Sequence, residues 1–147
     1  MERKYNLNDL ALMTGFSTRT LRNYLIGGIL KGEKVEGVWR FSGEDLDAFF
    51  SDSYVKEGIR IKRNGVVYDF LAGNGKNGGR TLTVLDVPAT LGKANRISAF
   101  FCGKMNDVSG VTFTFDYGKG ACRVILAGVA SDVAKLVRAY EETAFDD

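Results

Sequence analysis

Two short helical signals, each opened by a capping side chain and separated only by Gly15-Phe16, constrain this chain more than any other feature. Asn6 stands three residues before Asp9, the spacing of a capping box, and Leu7, Leu10, Ala11 and Thr14 continue at helical spacing until Gly15 stops the run. Ser17 is the next cap, and Leu21, Tyr24 and Leu25 make an apolar stripe that ends at Gly27-Gly28.

Two helices joined by so tight a turn form a helix-turn-helix, whose second helix lies in the DNA major groove. At 3.6 residues per turn, Arg19, Arg22 and Asn23 fall opposite the Leu21/Leu25 stripe, with Thr18 at its margin. Arginine and asparagine suit guanine and adenine edges. Glu33-Lys34-Val35, a Glu36-Gly37 turn and Val38-Trp39-Arg40-Phe41 then read as a two-stranded ribbon. Ser42 caps a third helix with Asp45 at its N3 position, and Leu46, Phe49 and Phe50 would pack it beneath the ribbon.

The run Leu10-Ala11-Leu12-Met13-Thr14-Gly15-Phe16-Ser17-Thr18-Arg19-Thr20-Leu21-Arg22-Asn23-Tyr24, with Gly28-Ile29-Leu30 and Gly37-Val38-Trp39-Arg40-Phe41-Ser42-Gly43-Glu44-Asp45-Leu46, resembles the winged helix-turn-helix of MerR-type regulators and the related excisionase-type DNA-binding proteins. The likeness covers about residues 5–50. It implies that Arg19 and Arg22, and Arg40 in the wing, face DNA, with Tyr24 close to the phosphate backbone. The helical wheel agrees for the two arginines but leaves Tyr24 on the buried side, from whose edge its hydroxyl would reach a phosphate. Trp39 serves packing as readily as DNA contact. The expected DNA-facing set is Ser17, Thr18, Arg19, Arg22, Asn23, Tyr24, Lys34, Trp39 and Arg40. Beyond the wing the sequence departs from full-length MerR regulators, with little room for a long coiled coil and no cysteine cluster for metal sensing.

Residues 53–71 allow two readings. Val55, Ile59, Val66, Val67, Phe70 and Leu71 nearly fit a helical stripe, whereas Asn64-Gly65 between Ile59-Arg60-Ile61 and Val66-Val67-Tyr68 is a hairpin signal. The helix is favoured, because two strands here would have little to pair with. Gly73-Asn74-Gly75-Lys76-Asn77-Gly78 matches G-x-G-x-x-G, but a dinucleotide site needs a helix directly after it, and Thr81 to Val87 reads as a strand that ends at Pro88.

From Leu91, Ala94, Ile97, Phe101 and Met105 return to helical spacing. Val111, Phe113, Phe115 and Tyr117 alternate with polar residues as in a strand with one buried face, and Gly118-Lys119-Gly120 turns the chain into a strand from Ala121 to Ala127. Ser131 is expected to cap a last helix bearing Val133, Leu136, Val137 and Tyr140. The aromatic row suits a core better than a ligand pocket. The fold class is therefore α+β: a winged helix-turn-helix over 1–52, a helical linker over 53–72, and a small strand-helix-strand-strand-helix domain with an antiparallel sheet over 73–147.

Composition narrows the chemistry. The chain has no histidine, and Cys102 and Cys122 are too far apart for a metal or redox motif, so they are read as packing residues and no cofactor, metal or catalytic site is expected. A net charge of +2 does not itself announce a nucleic-acid binder, but residues 16–40 and 54–63 are both net positive. The absence of a long apolar run or signal core points to a cytoplasmic protein without membrane contact. The expected function is a transcriptional regulator, not an enzyme, reading an inverted repeat in double-stranded DNA as a homodimer. The open sheet edge gives a second reason for dimerisation, and the C-terminal domain could hold an unidentified small-molecule or protein effector. The alternatives are an excisionase-like factor that bends DNA for a recombinase and a protein-binding adaptor without DNA.

Overall fold

The computed structural model describes residues 5–73 and 78–145. Helix α1 (Leu7–Thr14) opens with the Asn6/Asp9 capping box and closes at Gly15 in the left-handed conformation, and α2 (Thr18–Ile26) starts at Ser17, whose hydroxyl accepts the Thr20 N–H. Strands β1 (Glu33–Val35) and β2 (Val38–Arg40) pair antiparallel through a turn in which Glu36 and Gly37 have φ of 50° and 79°. Two successive positive φ values match the twist of the ribbon, and glycine at the second position takes up half of that conformational cost. Helix α3 (Gly43–Ser51) begins with the Ser42/Asp45 box.

Residues 53–72 form one helix, α4 (Ser53–Ala72), capped by the Asp52 carboxylate, which accepts the N–H groups of Tyr54 and Val55. The hairpin signal at Asn64-Gly65 yields because Val55 and Ile59 on the helical stripe reach the core. Gly58, in the helix interior, is matched to its neighbour: a Cβ there would lie 2.8 Å from Phe16 Cζ. The glycine costs about 1 kcal/mol of helix propensity and lets α4 close on the turn between α1 and α2.

Strand β3 (Arg80–Pro88), helix α5 (Leu91–Lys104), a 3-10 turn at Met105–Asp107, β4 (Thr112–Gly118), β5 (Ala121–Val129) and α6 (Ala130–Glu141) complete the chain. The glycine-rich run falls largely on residues 74–77, outside the described residues, and the element after it is β3. The sheet is antiparallel in the order β3-β5-β4. One expectation is corrected. Ser131 does not cap the last helix: α6 starts at Ala130 directly from β5, with Val129 at its N-cap and no side-chain cap, and the Ala130 N–H donates to the Gly79 carbonyl. A strand that runs straight into a helix presents no loop residue to cap it.

The buried side chains of residues 5–59 and 89–136 form one continuous cluster. Phe50 of α3 meets Phe115 of β4 edge-to-face at 6.0 Å between ring centroids, and α1 packs along β4 and α5. Tyr5, paired with Phe41 at the end of the ribbon, donates its hydroxyl hydrogen bond to the Asn95 carbonyl of α5, and Ser98 Oγ lies 3.3 Å from that hydroxyl. Phe113 and Phe115 are core residues, as expected for that row.

Burial also perturbs three acidic groups, pushing the Tyr5 hydroxyl up from 10.0 to about 12, and the Cys102 and Cys122 thiols up from 9.0 to about 12 and about 11. Each folded-state value lies above the unfolded one, so the neutral form is favoured in the fold. Their contribution is complete below pH 9 and is lost as pH rises from 9 to 12. The denaturation midpoint should fall across that window. Both thiols should resist a disulfide reagent in the native state and react only on unfolding.

Candidate nucleic-acid interface

The outer face of α2 is the surface that the local sequence signals build most directly. Leu21 is fully buried and anchors the helix on α1, which turns Arg19, Arg22 and Asn23 outward. Among the described residues neither Arg19 nor Arg22 has an ion-pair partner, so both guanidinium groups keep five donors for an external acceptor. Thr18 is half-buried at the margin, and Ser17 commits its hydroxyl to the Thr20 backbone and side chain at 3.1 and 3.0 Å. Ser17 is thus first a cap.

Tyr24 is half-buried, with its ring edge-to-face against Phe16, Phe49 and Tyr54 at 5.6, 5.7 and 6.3 Å. Desolvation raises its hydroxyl pKa, with Tyr54 and Asp52 adding to the rise, so the group stays a neutral donor. In the ribbon, Lys34 is exposed and holds its ammonium 5.7 Å from the Trp39 ring centroid, while Trp39 stacks on buried Phe41 at 6.4 Å. Trp39 therefore braces the ribbon on the core and holds a cation near its ring. Arg40 is half-buried on the same strand.

These elements converge. A hollow of about 260 Å³ is shared by Arg22 of α2, Trp39 and Gly37 of the ribbon, and Asn6 to Asn8 at the start of α1. The first N–H groups of a helix have no intrahelical acceptor and carry partial positive charge, so the hollow joins a guanidinium to helix-terminal donors. Sequence reasoning did not place Asn8 at this hollow, because that position depends on α1 lying beside the ribbon. Ile26, 85% exposed at the end of the outward face of α2, is an apolar residue breaking that polar face.

A helix pair with a one-turn connection, an exposed cationic face on its second member and a short ribbon alongside defines a helix-turn-helix unit. Residues 5–53 match the family of helix-turn-helix domains. No curated protein and no solved structure matches the chain. Among the described residues no helix is long and apolar enough to cross a membrane.

Proposed function

We propose that this chain is a DNA-binding transcriptional regulator that reads duplex DNA through α2 and the β1–β2 wing, acting by binding and not by catalysis. The observation that carries the reading is the outward guanidinium pair of Arg19 and Arg22 beside Asn23, without an ion-pair partner among the described residues and held by a fully buried Leu21. Arg19, Arg22 and Asn23 meet base edges in the major groove, the hollow beside Trp39 receives a backbone phosphate, and Lys34 and Arg40 track the adjacent strand. Fluorescence anisotropy on a duplex selected from a random pool tests this. With about three phosphates neutralised per chain, log Kobs should fall against log salt with a slope of about −3 for each bound chain. Binding that is absent, or flat in salt, would leave the chain a protein adaptor.

We further read the protein as a homodimer, which would present two recognition helices to an inverted repeat. Helix α4 supports this. Tyr54, Ile61 and Tyr68 recur every seven residues opposite its buried face and are 69%, 59% and 72% exposed. A helix apolar on two faces is built to be covered on both. Light scattering after size exclusion should give twice the chain mass at micromolar concentration, and Ile61→Glu should give a folded monomer. A monomeric wild type removes the dimer from the proposal.

A further inference from the structure

A strongly charged cleft outside the helix-turn-helix lies where the first half of α4 overhangs the β4–β5 turn. Its volume is about 390 Å³. Five cations line it against two carboxylates, Asp86 and Asp116, a local surplus of three in a chain whose whole net charge is +2. Such concentration is not what a uniformly solvated surface would show.

The floor explains how the space arises. Asp86, Arg123 and Asp116 stand directly opposite one another across β3, β5 and β4, so their side chains share one face of the sheet. Arg123 forks onto Asp86 with bonds of 2.6 and 2.8 Å, and Arg63 of α4 reaches Asp116 at 3.0 Å. Both carboxylates are thereby neutralised from within the protein. Two positions further along the strands, on the same face, Gly118 pairs with Ala121, and these two small residues leave a shallow apolar floor under α4, with Pro88 of β3 on the other side of Ala121.

The remaining cations are available. Lys56 and Lys119 have no carboxylate partner among the described residues, and Arg60 is held only by the exposed Glu57 on its own helix. Lys119 also sits at φ 56°, ahead of Gly120 at 75°, in a turn position that glycine, asparagine or aspartate occupies at lower cost. A lysine kept at a strained hairpin tip, facing Lys56 across an apolar floor, places a charge where local backbone preference does not ask for one.

We propose that this cleft is a binding site for a small organic anion bearing at least two negative charges on a compact ring system. The ring lies over Gly118 and Ala121, and the anionic groups bridge Lys56 and Lys119, with Arg60 at the margin. The cleft is large enough for a molecule of roughly mononucleotide size, and pockets of about 300 to 1,000 Å³ are usual for small ligands. The inference stands apart from the DNA-binding reading, since it uses neither α2 nor the ribbon.

The test is a titration of the full chain with AMP, monitored by amide NMR, with adenosine and inorganic phosphate as separate arms. AMP should give saturable shifts clustered at Lys56 and Gly118 to Ala121 with Kd below about 1 mM, and each part alone should bind more weakly. The double variant Lys56→Gln/Lys119→Gln, altering two exposed side chains, should keep the wild-type melting temperature and lose AMP affinity by about tenfold or more. Failure of AMP to saturate overturns the proposal, as do shifts shared with Arg19 and Arg22 that persist in the double variant, which would be diffuse charge attraction. If AMP does not bind and the double variant instead loses duplex affinity, the cleft is a nucleic-acid backbone contact and the proposal fails.

Discussion

Arg22→Ala is expected to lower affinity for a selected duplex by about ten- to a hundredfold while leaving the fold intact. A well-placed arginine on a base edge is worth about 1–3 kcal/mol of discrimination, and Arg22 also borders the hollow beside Trp39 where a phosphate would sit, so specific and general terms are lost together. Its side chain is exposed and has no ion-pair partner among the described residues, so the stability change should stay within about 0.5 kcal/mol. Lys135→Ala, on exposed α6 surface, is the matched loss of one positive charge and should bind nearly as wild type. If Arg22→Ala binds as tightly as the unaltered protein, α2 is not the reading helix, and the function proposed for residues 5–53 fails with it.

Phe115→Ala should produce the largest loss of stability, about 3–5 kcal/mol, against the roughly 5–15 kcal/mol by which a domain is ordinarily stable. Phe115 is 1% exposed and sits at the junction between the two halves, its ring edge-to-face with Phe50 of α3. The informative readout is where the loss appears. Trp39, the only tryptophan, reports on the ribbon, whereas far-ultraviolet circular dichroism reports on all the helices and the sheet. With a core continuous from Leu10 to Leu136, the two signals should melt together in the variant at a lower temperature. A ribbon signal that stays at its wild-type temperature while the ellipticity falls earlier would mean that the halves unfold independently.

The proposed dimer seam and the cleft involve different faces of α4. Val55 and Ile59 are buried in the core, the Tyr54/Ile61/Tyr68 seam points away from it, and Lys56, Arg60 and Arg63 recur at i, i+4 and i+7 over the sheet. One helix therefore carries packing, the proposed self-association and the proposed anion site, and Ile61→Glu and Lys56→Gln should separate the last two.

The N-terminal third was legible in the sequence because its signals are local. A capping box spans four residues, a glycine stop or a two-residue turn spans fewer, and the stripe that aims Arg19 and Arg22 outward is set by helical periodicity around Leu21. The alternation of β4 likewise put Phe113 and Phe115 inside without knowledge of their partners.

Tertiary packing decided what local signals left open or could not express. It turned residues 53–72 into a helix despite Asn64-Gly65, because burying Val55 and Ile59 against the core outweighs a turn preference with no strands to pair. It started α6 at Ala130, where strand and helix are continuous. It also brought Asp86 and Arg63 to the Asp116/Arg123 pair of the β4–β5 hairpin in one charged row: β5 pairs with β3 as well as with β4, and α4 packs over them, contacts between residues far apart in the chain that leave no periodic trace in the sequence.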